Sequence, residues 1–299
     1  MSITAEQKEW RTKFLGSSDL AAIVGLDKWK NSSDVYLEKT SQLEAERENG
    51  NLPADIGQIF EHAVLQLFAK VRGVSLIQDV FLTHGIFCSN LDALIEADNE
   101  IVEAKTCGDP DEYGEQYTDE IPERHIVQTH EQMYVVSAAT GRECKVAWVP
   151  VLLPGYKSLQ FKIYKVLRND DLMKDLIQLG ESFWHDHIVN RVPPEPYQPS
   201  LTLLKRIKRV PDQITDISDA IVNDWAEATA AHLQADAKLK LAKSRLIAAL
   251  GDGDAGETET GRMITYFETN RTGYTVEPTT YRTPRLKPAK KKRGSNGRR

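Results

Sequence analysis

The sequence predicts an α/β fold, with a mixed central sheet flanked by helices. Three observations predict it. Asn90–Ile95 and Ile101–Thr106 are adjacent β-rich stretches whose polar and apolar residues alternate with the period of a strand. Residues 55–72 place Ile56, Ile59, Phe60, Ala63, Val64 and Leu67 at helical spacing, and 123–139 is a second helical segment. After it, residues 145–153 and 158–166 are rich in β-formers and are joined by a Pro154-Gly155 turn, which predicts an antiparallel pair.

Taken in order, residues 5–14 predict a short helix. Ser18 or Asp19 is suited to cap a helix through Ala21–Val24, which Gly25 ends. Ser32 or Ser33 is suited to cap a second one, Asp34 to Lys39. Residues 40–53 are polar and predict a loop. The helix of 55–72 carries Glu61, which is either surface charge or a carboxylate aimed inward. Val74–Phe81 reads as a strand, and His84-Gly85 as a turn into the central stretch. The polar segment Cys107–Pro122 predicts a mobile cover, and Gly141 ends the helix that follows it. Asn169 or Asp170 caps a helix from Asp171 to about Ile188, and Val192-Pro193-Pro194-Glu195-Pro196 breaks the chain. From Ile214 to Leu250, residues such as Ile221, Ala228, Ala235, Leu239, Ala242 and Leu246 follow near-heptad spacing, either one long helix or a helical hairpin. Gly251–Asp254 is a turn and Arg262–Phe267 a strand. Residues 1–199 therefore predict the core, 200–284 a helical appendage with a terminal strand, and 285–299 a basic, disordered tail.

Composition narrows the classes of function. Hydrophobic residues make up 40% of the 299, enough for a sizeable core, and no apolar run reaches membrane-spanning length. The first residues show no signal-peptide pattern, and the three cysteines form no CxxC and are too few for a four-cysteine cluster. Residues 285–299 hold eight Lys or Arg and no acid, so a whole-chain charge of −6 leaves −14 on residues 1–284. Such a body contacts nucleic acid only locally, in a groove.

The chemistry concentrates on one face of the central stretch. Glu103 and Lys105 are two apart on a strand and share a face, opposite Val102 and Ala104. Asp92 reaches the same place if the two strands pair. Two carboxylates suit a hard cation such as Mg²⁺, and a lysine beside it suits an attacking water or a charged phosphate. The same spacing also fits an ordinary Glu–Lys pair on a solvated strand edge. Gln128 and Gln132 share a helix face and suit either a phosphodiester or plain solvent.

Four motifs together give this chain a resemblance: Trp10-Arg11 with Leu15-Gly16-Ser17-Ser18-Asp19 and Gly25; Gly57-Gln58-Ile59-Phe60-Glu61; Asp92 with Glu103-Ala104-Lys105; and Gln128-Thr129-His130-Glu131-Gln132-Met133-Tyr134. In that order, over residues 5–190, they resemble the lambda-exonuclease or YqaJ-type viral recombinase family of the PD-(D/E)xK nuclease superfamily. The resemblance implies a PD-(D/E)xK core with Asp92, Glu103 and Glu61 as metal ligands, Lys105 and Gln128 as further catalytic residues, and Arg11 and Ser18 on the 5′-phosphate of DNA. Ser89-Asn90-Leu91-Asp92 departs from the family's Ser/Thr-Pro-Asp, which removes support for a phosphate contact by Ser89. The implied activity is Mg²⁺-dependent 5′-to-3′ digestion of linear double-stranded DNA, with Mn²⁺ as substitute, leaving 3′ single strands for phage-type recombination by annealing. Also implied are a homotrimer, a single-strand annealing protein as partner, no membrane, and the cytoplasm of a bacterium or phage-infected host. Two other readings stay open: a repair or restriction endonuclease of the superfamily, and a DNA-binding assembly module with a decayed site. The intact Asp92, Glu103, Lys105 set speaks against decay.

Overall fold

The computed structural model describes residues 10, 12–41, 43, 52–106, 109–155, 158–211 and 213–268. Arg11, Cys107, most of the 40–53 segment and the basic tail lie outside them. Two compact units are formed, Met1–Arg209 and Val210–Arg299.

In the first unit, β1 (Leu15–Gly16) leads directly into α1 (Ser17–Ile23), and α2 (Ser32–Thr40) follows. Next come α3 (Leu52–Arg72), β2 (Ile77–His84), β3 (Phe87–Ile95), β4 (Glu100–Val102) and β5 (Lys105–Thr106). Helix α4 (Glu123–Thr140), strands β6 (Val146–Pro154) and β7 (Leu159–Leu167), α5 (Asp170–Phe183) and the short α6 (Leu201–Leu204) complete it. The seven strands make one sheet with the path β1-β3-β4-β6-β5, β2 adding to β3 and β7 to β6. The sheet is mixed, as expected: β1 with β3 and β6 with both β4 and β5 are parallel, while β2–β3, β3–β4 and β6–β7 are antiparallel.

Strand alternation sorts the apolar residues onto two faces. Ala93, Ile95, Val102 and Trp148 pack with Leu65 and Phe68 of α3. Leu94, Ile101, Ala147 and Val149 pack on the other face, with Leu20 of α1, Met133 and Val136 of α4 and Ile177 of α5. The sheet is therefore enclosed by helices on both sides. Ser89 of β3 reaches Glu131 of α4, and Glu103, just past β4, reaches Gln128 and Gln132 of the same helix, so the polar residues gather on the α4 side of the sheet.

Several local expectations need correction. Helix α1 is capped by Gly16, not by Ser18 or Asp19; the Asp19 carboxylate instead accepts from Gly16 N at 2.9 Å. Asn31, one residue before the serines, caps α2 and accepts from Asp34 N at 3.0 Å. The second central strand is interrupted: Glu103 and Ala104 lie between β4 and β5. The described part of the expected mobile cover is anchored by buried Tyr113 and Ile121. The Pro-rich stretch ends the α5 region, but the chain beyond it returns to α2, where Ser200 N donates to Asp34 Oδ1 at 2.7 Å.

In the second unit, α7 (Asp219–Leu250) is one uninterrupted helix, not a hairpin, and β8 (Ala255–Glu257) pairs antiparallel with β9 (Met263–Thr265).

Gly180 lets α5 pack closely against Phe87 of β3 and Leu20 of α1. A Cβ there would stand 2.7 Å from Phe87 Cε1 and 2.9 Å from Leu20 Cδ2. Gly180→Ala should therefore lose about 1–3 kcal/mol through overpacking. A urea titration with an unchanged midpoint would show that α5 has room to move.

Candidate active site

Glu103 is the centre of the site. The chain leaves β4 after Val102, and Glu103 N still donates to Trp148 O at 2.9 Å, so the residue is fixed although it is outside the strand. The residue is only 4% exposed. Oε1 accepts from Lys105 Nζ at 2.5 Å and from Gln128 Nε2 at 2.6 Å, and Oε2 accepts from Gln132 Nε2 at 2.7 Å. Gln128 and Gln132 stand one turn apart on α4, which sets both amides toward the sheet. Gln132 is fully buried, so the solvent-facing alternative does not apply to it.

Asp92 joins from β3, and its Oδ2 accepts from Ala104 N at 2.8 Å. Burial, then the charge of Glu103, pushes its carboxyl well above the usual range, and Glu61 adds to the push against Lys105 and the Ala104 amide. Glu61 is raised too, by burial and then by Glu103 and Asp79. Burial works against the charge of Lys105, but Glu103 and Asp92 outweigh it and raise the ammonium. The two carboxylates and the lysine thus converge as the strand alternation predicts, with Glu61 in electrostatic reach.

A divalent cation fits this donor set. The donors are carboxylate oxygens, and their mutual repulsion is what a cation relieves. Among the described residues no three His, Cys, Asp or Glu side chains form a metal-holding group. An ion here would draw on Asp92 and Glu103 and fill its shell with water or phosphate oxygens, which is usual for Mg²⁺.

A cavity of about 420 Å³ opens beside these acids. Asp92, Glu103 and Gln128 line it, together with Ser18, Lys30 and Lys39. Ser18 is exposed on α1. Its neighbour Asp19 is the hub of a charge network: Lys30 Nζ lies 2.6 Å from Oδ1 and Lys39 Nζ 2.7 Å from Oδ2, with Glu38 on Lys30 as well. Burial opposes the charge of Asp19, yet the two lysines hold its carboxyl well below the usual range. Neither lysine is signalled in the sequence, because nothing periodic links positions 19, 30 and 39. The Gly16 amide is taken by Asp19, so the start of α1 does not present it to an anion. Ser89 is also unavailable: it is fully buried and donates to Glu131 Oε2 at 2.7 Å.

His125, on the first turn of α4, was not singled out by any motif. Burial, then Lys105 and Arg124, lower it to about 2 against a hydrogen bond to Gln128, so it stands by Lys105 as a neutral ring.

Residues 6–143 match a family described as the YqaJ-like viral recombinase domain. Over 189 residues the chain is 31% identical to the uncharacterized protein YqaJ of Bacillus subtilis (strain 168), a match that takes in 60% of this chain and 56% of that protein. The chain thus spans little more than half the length of that relative. Among solved structures it is similar to LHK-Exo in complex with dAMP, at TM-score 0.46 and 16% identity over 61% of this chain and 92% of that one. The alkaline exonuclease LHK-Exo from Laribacter hongkongensis gives TM-score 0.44 and 15% identity, over 60% and 91% of the two chains. A phage related exonuclease from Haemophilus somnus 129PT gives TM-score 0.43 and 15% identity, over 60% and 96%. Within the matched residues, Asp92 of β3, Glu103 after β4 and Gln128 of α4 line one cavity, together with Ser18 of α1 and Lys39 of α2.

Glu131, between the two glutamines, is fully buried, and its Oε1 has no hydrogen-bond partner among the described residues. Burial drives it well above the ordinary 4.5, with Ser89 opposing and Asp19 adding to the rise. A group raised on folding lends stability that is whole below its unfolded value and is lost as pH rises through its folded value. Glu131→Gln cannot ionise. The stability of that variant relative to wild type should therefore grow as pH rises from about 4.5 toward neutrality. Denaturant titrations across that range that give a constant difference would contradict a protonated Glu131.

Proposed function

We propose that this chain is a Mg²⁺-dependent exonuclease that digests linear double-stranded DNA from 5′ to 3′ and leaves 3′ single strands for recombination by annealing. The observation that carries the reading is the single cavity shared by the Asp92–Glu103–Lys105 set and the Ser18–Lys30 wall. The YqaJ-like viral recombinase match supports the substrate class. The chain would act as a homotrimer beside a single-strand annealing protein.

Asp92 and Glu103, with Glu61 in electrostatic reach, would hold Mg²⁺, which would supply Lewis-acid activation of the scissile phosphate and of a water. The protein residues do the rest. Gln128 and Gln132 hold the Glu103 carboxylate in one orientation. Lys105, kept charged by Glu103 and Asp92, orients the water or offsets negative charge that develops on the phosphate. Ser18 and Lys30 of the same cavity would hold the terminal 5′-phosphate, and the sequence motif adds Arg11 to that role. An ammonium has three N–H groups, and two of those on Lys30 go to Asp19 and Glu38. A phosphate fixed there would decide which strand reaches the acids, and so the polarity.

The test is an incubation with Mg²⁺ and linear duplex labelled at either end, with and without 5′-phosphate, beside closed circular DNA. Loss of the 5′ strand from linear DNA and an intact circle are expected. A nicked circle would make the chain an endonuclease, and no cleavage at all would make it a binding module. Lys105→Ala should fold and bind duplex ends but lose about 10²–10³ in rate, the usual cost of one charge-stabilising group. Lys30→Ala should digest phosphorylated and hydroxyl ends at similar rates. A preference kept by Lys30→Ala would remove Lys30 from the phosphate wall.

A further inference from the structure

Nothing in the nuclease reading uses α7. It is 32 residues long and none of them is buried. Along it run two interleaved sets of residues, each repeating every seventh position. One set is large: Trp225, His232, Leu239 and Leu246. The other is Ala228, Ala235, Ala242 and Ala249, with Ile221 at its head. Steps of four and three alternate without a break from 221 to 249. Ile221 is 64% exposed, Trp225 40%, Leu239 67% and Leu246 42%. Leu233 and Leu241, also exposed, stand off this line.

The period says what covers the stripe. A straight helix drifts by about 20° per heptad against a strict seven-residue repeat. An uninterrupted repeat of this kind stays in contact only with another helix that coils around it. The size pattern says how that helix runs. In a parallel pair Trp225 would meet Trp225 and Ala228 would meet Ala228, giving overfilled layers beside hollow ones. In an antiparallel pair the large set of one helix faces the alanine set of the other, so each layer is filled by one large and one small side chain.

The flanking charges agree. With Leu239 of one helix against Ala228 of the other, and His232 against Ala235, Asp224 lies beside Arg245 of the second copy, and the pair occurs at both ends. A parallel pair would instead set Lys238 beside Lys243 of its neighbour. Charges beside the seam are what select partner and orientation in such pairs. The sequence of α7 is thus complementary to its own reverse.

We propose that α7 is a docking surface for a second copy of this chain, joined antiparallel along this stripe. The pairing stands independently of the nuclease reading.

Disulfide cross-linking of the full chain tests it. Asp224→Cys and Arg245→Cys are exposed changes, and within one helix the two positions are roughly 30 Å apart, so they cannot bridge internally. The double variant Asp224→Cys/Arg245→Cys should pass largely into a covalent dimer under mild oxidation. Asp224→Cys alone, Arg245→Cys alone, Ala228→Cys alone and the parent protein should not. Leu239→Asp added to the double variant should abolish the dimer while far-UV circular dichroism stays unchanged. A dimer from Ala228→Cys alone would mean a parallel pair and overturn the proposal. Absence of any cross-link from the double variant would overturn it as well, leaving the stripe to a different protein.

Discussion

A carboxylate on a residue only 4% exposed is costly unless polar groups surround it, and Glu103 is in that position. Three donors meet it, from Lys105, Gln128 and Gln132. This need explains features that otherwise look unrelated. The break between β4 and β5 lets Ala104 N donate to Asp92, while Glu103, still bonded through its own N–H to Trp148 O, turns its side chain toward α4. The register of α4 is fixed because two of its residues, one turn apart, must reach the same two oxygens. The apolar residues of α4 then set how the helix seats on the sheet: Met133 and Val136 are fully buried on that face.

Around this centre the protein treats buried acids in two ways. Asp19 and Glu131 are both deeply buried. Burial alone raises both. Asp19 has two lysine ammonium groups within 2.7 Å, and they reverse the effect. Glu131 has one hydroxyl from Ser89 and, among the described residues, no ion pair, so burial wins. Asp92 lies between these cases, with a lysine nearby but two further carboxylates as well. That imbalance of negative charge, next to a cavity, is what a divalent cation and a phosphate together would correct.

How much was legible in the sequence follows from the range of each signal. Period-2 alternation placed Glu103 and Lys105 on one face, with Asp92 joining them if the two strands paired, because that geometry is local to two strands. The four-residue spacing of Gln128 and Gln132 put them on one face of a helix in the same way. It could not say that the face was buried, since that depends on a carboxylate arriving from another strand. Lys30 and Lys39 gave no signal, because they meet Asp19 through the packing of α2 against α1. The caps were misplaced by one to three residues for a related reason. Asp19 is drawn back to Gly16 N and held by lysines, and Asn31 competes successfully with the serines that follow it. The heptad of α7 was visible, but a hairpin and a single helix share the same pattern until the chain between them is seen to run on.

The central claim is that the Asp92–Glu103 pair is built for a divalent cation. Calorimetric titration of Mg²⁺ into the protein, and into Asp92→Asn and Glu103→Gln, tests it without any DNA present. Saturable binding of about one ion per chain to wild type, lost or much weakened in both variants at unchanged fold, is the predicted result. Equal Mg²⁺ affinity in all three proteins would contradict the account.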